Sequence, residues 1–163
     1  MKYLLILTLL LITQSVDLEV IRSDYKYAAQ DSSKIEALYQ DLESVTKTDR
    51  AELVAYKGAA VALMAKEANS IKGKKDGFLE GTGLVEYAVE RESNNIEVRF
   101  VRLSIQQNIP KFLRYYSDIE NDKAFILDNY SSINSASLKS HIADYISHSK
   151  DFTEEEKARV AGF

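Results

Sequence analysis

From Asp17 onward the apolar residues recur mainly at three- and four-residue spacing, the period of a helix that buries one side. A first helix is expected over about 18–30, with Ile21, Tyr25 and Ala28 on one side. A second, over about 33–46, carries Ile35, Leu38, Tyr39, Leu42 and Val45 in regular three-four alternation. Ser33-x-x-Glu36 and Thr153-x-x-Glu156 have the capping-box spacing, and Asp49-x-x-Glu52 is the aspartate version, so all three mark expected helix starts.

The stretch 49–71 is apolar nearly all round. At about 100° per residue, Leu53, Ala60, Val61 and Met64 share a face with Tyr56 and Leu63 beside it, while Ala55, Gly58, Ala59, Ala62 and Ala65 lie opposite. A helix without a polar side is buried between neighbours, and a strip of small residues lets one of them approach closely. This is the expected central helix. Lys72-Gly73-Lys74-Lys75-Asp76-Gly77 then reads as a polar break, either a solvated connection between helices or an anion site, before Phe78, Gly81, Val85, Ala88 and Val89 form another apolar face.

The segment 96–109 allows two readings. Ile96, Val98 and Phe100 alternate like a strand, but Val101, Leu103 and Ile105 continue in the opposite phase, so a strand needs a bulge. On a helix the same residues make two apolar sectors with Asn95, Arg99, Arg102 and Gln106 as a polar stripe between them, and Pro110 ends the element in a normal way. The helix is the reading adopted. Shorter helical pieces are expected at 111–116, at 120–130 with Phe125, Ile126 and Tyr130 inward, at 137–148 with Leu138, Ile142, Tyr145 and Ser149 on one face, and after the Thr153 cap.

The N-terminus has a different pattern. Met1-Lys2 precedes an apolar run from Tyr3 to Ile12, and Thr13-Gln14-Ser15 supplies the small residues a signal peptidase reads. The run is shorter than the roughly 20 residues of a spanning helix and fits the roughly 7–15 of a signal-peptide core. The expectation is an export signal at 1–15, cleaved after Ser15, and a single all-helical domain at 16–163 in the periplasm or outside the cell, with no stable membrane insertion after cleavage. Cysteine is absent, which removes disulfides, thiol nucleophiles and cysteine-based metal sites. One proline and six glycines in 163 residues fit long helices better than many turns. The net charge of -4 argues against a general nucleic-acid binder, which needs a basic face.

Gly81-x-x-x-Val85-x-x-Ala88 followed by Glu92-Ser93-Asn94-Asn95-Ile96-Glu97 resembles the second helix and inter-repeat turn of a tetratricopeptide repeat. Ser93 stands where that family has proline, and the tryptophan and Leu-Gly signature of its first helix is missing. The resemblance covers about one repeat and implies antiparallel helical hairpins stacked as a short tetratricopeptide-like bundle. With its leader, Asp24-Tyr25-Lys26, the Leu53–Ala60 run and Asn95–Leu103, the chain also resembles a family of uncharacterised exported bacterial proteins. That resemblance implies an all-α exported protein and brings no activity.

Five residues are candidates for binding. Arg99 and Arg102, with Gln106 continuing their stripe, would be at least half surrounded by protein, so they either hold a carboxylate, phosphate or peptide backbone in a groove or pair with internal glutamates such as Glu86 or Glu90. Lys57 falls on an apolar face beside Tyr56, and it either shares a pocket with that hydroxyl or packs its stem and sends its head to the edge. His141, Asp144 and His148 have a spacing that suits a metal, but the glutamate-bearing metalloprotease pattern is missing and the edge reads as solvated. No nucleophile elbow, phosphate loop or dinucleotide glycine pattern is present in the sequence. The expectation is a non-enzymatic exported module without metal or cofactor, binding a protein or peptide partner. The alternative is a small-molecule-binding protein or hydrolytic enzyme with a pocket around Lys57, Tyr56, Arg99 and Arg102.

Overall fold

Asp17 accepts a hydrogen bond from the Glu19 amide and starts α1 (Leu18–Ala28), whose buried stripe is Leu18, Ile21, Tyr25 and Ala28 together with Arg22. In the computed structural model, which describes residues 16–161, the chain continues through α2 (Ile35–Asp41), α3 (Ala51–Met64), α4 (Ile71–Arg91), α5 (Ile96–Asn108), α6 (Ile119–Asn129), α7 (Ala136–His148) and α8 (Glu154–Ala158). Short 3-10 turns join several of these helices, and no strand occurs among the described residues. The architecture is an all-α bundle. The expected export signal at 1–15 lies outside the described residues.

Several local expectations are corrected, among them the piece expected at 111–116, which is only a 3-10 turn over Lys111–Leu113. The second helix runs only from Ile35 to Asp41 and has no side-chain cap; Ser33 lies in the 3-10 turn Ser32–Lys34 that leads into it, and that turn is capped by Asp31, which accepts from the Ser33 amide and hydroxyl. Leu42 and Val45 stay buried although the helix has already ended. Asp49 does not cap α3 either. Its carboxylate turns back to the Thr46 amide and hydroxyl, and α3 starts behind Arg50 without a side-chain cap. The Thr153–Glu156 capping box is formed as expected.

Lys72 to Gly77 is no break but the first two turns of α4, capped by Ser70 on the Gly73 amide. Glycine in a helix interior costs about 1 kcal/mol relative to alanine, and here it is used for contact: a Cβ on Gly77 would lie 3.0 Å from the Ala65 Cβ. The chain reverses instead at Ala68–Ser70, after a 3-10 turn that prolongs α3.

The small-residue strip on α3 does what its pattern predicts. α3 and α4 make the most extensive helix–helix contact in the molecule, and they meet at Gly58 and Gly81. A Cβ on Gly58 would lie 2.5 Å from the Gly81 carbonyl oxygen, and one on Gly81 would overlap the Gly58 oxygen and sit 2.6 Å from the Ala62 amide nitrogen. Backbone faces backbone here.

α5 divides the interior. Val98, Val101 and Ile105 pack into the larger core with α1 to α4, whereas Phe100 and Leu103 pack into a second core with α6, α7, Phe152 and Val160. These are the two apolar sectors of the sequence. The sectors between them carry Arg99, Arg102 and Gln106 on one side and Glu97 and Ser104 on the other.

Candidate functional site

The arginine stripe closes on α6. The Arg102 guanidinium donates to both Asp122 oxygens, Nε at 2.7 Å and Nη2 at 2.8 Å, and its Nη1 reaches Glu86 on α4 at 2.9 Å. Arg99 donates to the same Asp122 at 3.1 Å and to the Ser93 carbonyl, with its guanidinium over the Phe125 ring. Asp122 has no exposed surface. Two cations and two carboxylates thus satisfy one another across α4, α5 and α6, and Tyr115 donates a further hydrogen bond to Glu86. Phe125 is only half-buried because it supports Arg99, and Leu127 takes the core position beside Ile126.

The other candidates go elsewhere. Lys57 donates to the Glu43 and Val45 carbonyls, the free acceptors left where the chain leaves α2. Tyr56, one residue earlier and fully buried, packs edge-on against Tyr25. Burial, followed by the nearby Glu97 carboxylate, pushes the pKa of its hydroxyl well above the ordinary phenol value. Gln106 is 3% exposed, and neither end of its amide has a partner among the described residues. Lys57 therefore sits at the end of α2, Tyr56 in the large core, and Arg99 and Arg102 at the α5–α6 interface. They do not converge on one pocket.

The histidines separate as well. His148 is exposed, with Nδ1 on the Asp144 carbonyl. His141, expected on a solvated edge, is instead inserted between Phe100 and Tyr25 at ring-centroid distances of 5.1 and 6.5 Å. No group of three metal-ligating side chains occurs among the described residues.

One polar arrangement has no signal in the sequence pattern. Arg22 of α1 and Glu97 of α5 form a buried two-bond pair, and the Arg22 guanidinium also donates to the Ser137 hydroxyl at the start of α7. Beside it the Tyr25 hydroxyl shares a 2.7 Å hydrogen bond with Ser104. These contacts hold α1 against α5 and α7.

Between α1, α4 and α7 lies a cleft of about 1640 Å³. Ala59 and Ala62 of α3 and Ser104 and Ile105 of α5, all buried, form its floor. The C-terminal end of α1, the first half of α4, the turn after Pro110 and the second half of α7 supply its walls. Three large apolar side chains stand exposed on these walls: Ile71 at 90%, Phe112 at 79% and Leu79 at 55%. Scattered exposed apolar residues are ordinary, but a group gathered around one concavity marks an interaction site. None of the five candidate residues lines it. The cleft was invisible in sequence because its walls come from helices far apart in the chain, although Ile71 and Leu79, apolar residues off the buried face of α4, carried a trace of it.

No family model, curated protein or solved structure matches the chain.

Proposed function

We propose that the chain is an exported, non-enzymatic helical module that binds a protein or peptide partner at the cell envelope or outside the cell, and that the partner sits in the cleft between α1, α4 and α7. The observation that carries the reading is the trio Ile71, Leu79 and Phe112, exposed on the walls of a cleft whose floor is mostly apolar. Burying such side chains is the main favourable contribution to association. The succession of α3, α4 and α5, each packed on the next, with α3 also touching α5, supports the tetratricopeptide-like stack as the frame of that module. Export rests on the N-terminal sequence, and no helix among the described residues is long and apolar enough to cross a membrane. The pocket-enzyme alternative loses support, because Lys57, Arg99 and Arg102 are each engaged by internal acceptors and neither they nor Tyr56 line the cleft.

Site-specific photo-crosslinking in the cells that make the protein tests this reading. A benzophenone side chain placed at Leu79 or Phe112 is expected to give an adduct of one shared mass, and the same group at the exposed Val20 or Tyr116 is expected to give none. Adducts equally strong at all four positions, or none at the two cleft positions, would overturn it.

A further inference from the structure

We infer that the occupant of the cleft is an amphipathic α-helix with an apolar face and acidic edges. The inference rests on the cleft being the binding site and specifies the chemistry of what binds there.

Size is the first argument. Small-molecule pockets run to roughly 300–1,000 Å³, and this cleft, at about 1640 Å³, is larger. A helix about 10 Å wide that rises about 1.5 Å per residue fills roughly 120 Å³ per residue, so the space matches about 14 residues, or nearly four turns. A partner of that shape places anchors at i, i+3, i+4 and i+7 along one face. Ala59 and Ala62 at the floor leave room for them, and Leu79 and Phe112 stand ready to cover their flanks.

Charge is the second argument. The chain carries a net charge of -4, yet the cleft is lined by five lysines against two aspartates. One of the five, Lys26, is held by Asp144 at 2.7 Å. Lys66, Lys74, Lys75 and Lys150 make no ion pair among the described residues and are exposed. They do not cluster as a socket for one anionic headgroup. Lys66 follows α3, Lys74 and Lys75 stand on α4, and Lys150 follows α7, so the positive charge is carried on separate walls. A ligand with one carboxylate satisfies one wall, whereas a helix with Asp and Glu along both edges satisfies several at once. Such rim charges steer association and discriminate between partners more than they add affinity.

The test uses the purified protein and three synthetic fluorescent helices of about 14 residues that share one leucine-alanine face and differ only at the edges, which carry Glu, Gln or Lys. Sodium oleate serves as the single-headed competitor. Fluorescence polarisation is expected to show the Glu-edged helix binding about tenfold tighter than the Lys-edged one, with the advantage shrinking as salt is raised. The double variant Lys74→Glu/Lys75→Glu, at exposed positions and checked by its unfolding curve, is expected to reverse the preference. Equal binding of the three helices, or an unchanged preference in the double variant, overturns the acidic-edge inference but leaves the cleft reading intact if the Leu79 and Phe112 adducts form. One-to-one binding of oleate with no binding of any helix overturns it in favour of a lipid ligand.

Discussion

Arg22 and Glu97, separated by 75 residues in sequence, face each other through two parallel hydrogen bonds of 2.7 Å, Nε to Oε1 and Nη2 to Oε2, with both side chains nearly excluded from solvent. Breaking a buried pair by removing one partner costs about 3–5 kcal/mol, because the other charge is left behind, whereas replacing both by apolar groups is far less harmful. Arg22→Met is therefore expected to lower the urea midpoint strongly by stranding Glu97 beside Tyr56. The double change Arg22→Met/Glu97→Leu is expected to cost less than Arg22→Met alone. A double variant that is weaker than either single one would show that the pair contributes net stability of its own.

Gly81 and Gly83 are two residues apart on α4 and should respond in opposite directions to the same substitution. A Cβ at Gly81 meets the Gly58 carbonyl oxygen and the Ala62 amide, both backbone, so the α3–α4 crossing must open. Overpacking of this kind costs about 1–3 kcal/mol. At Gly83 nothing lies within 4 Å of the added atom, and the residue is exposed. Gly83→Ala is expected to raise stability by about 0.5–1 kcal/mol through helix propensity alone. Thermal unfolding of the two variants checks both signs.

Asp122 is the pivot of the arginine network, since it accepts from Arg99 and Arg102 while fully buried. Asp122→Asn keeps the shape and removes the charge from beneath two guanidiniums, with an expected cost of about 3 kcal/mol. Glu86 binds the same Arg102 from a position about one third exposed, and Glu86→Gln is expected to cost no more than about 1 kcal/mol. Comparable losses in the two variants by chemical denaturation would argue against Asp122 as the centre.

The sequence pattern was most readable where one helix answers to its own periodicity. α5 is the clearest example: the two apolar sectors around the Arg99/Arg102/Gln106 stripe became two separate cores. The Gly58 strip likewise predicted a close neighbour, though not that Gly81 would supply it. Failures came where a distant contact outweighed a local preference. Gly73 and Gly77 weaken a helix when read alone, yet Ala65 packed against Gly77 makes the small residue useful within α4. Glu97 stands in the first turn of α5, and its partner on α1 could not be read from spacing. The cleft is the extreme case, because it is a gap between α1, α4 and α7, and no single helix encodes a gap.

His141 gives a pH dependence with a definite sign. Its ring lies against Phe100 of α5 and Tyr25 of α1, and the charges near it are Lys26 and Arg22 on α1 and Asp144 on its own helix. Burial, then the positive charge of Lys26, lowers its pKa to about 4, with Asp144 opposing the shift. In the unfolded chain an imidazole titrates near pH ~6.5. Between these values the unfolded state binds the proton and the folded state does not, so stability rises with pH across the window and is fully present above it. Acidification from about pH 6.5 to 4 is expected to remove on the order of 2 kcal/mol. Asp31, Asp49, Glu52, Asp144 and Glu156 have pKa values below their ordinary ones, so their contributions are lost only at lower pH, as the solution falls through the carboxylate range. The interval from about pH 6.5 to 5 lies above that range. His141→Leu fills the space between Phe100 and Tyr25 without a titrating group, and urea midpoints measured across that interval are expected to be flat in the variant and sloped in the parent protein. A slope that survives the substitution would place its source on another group.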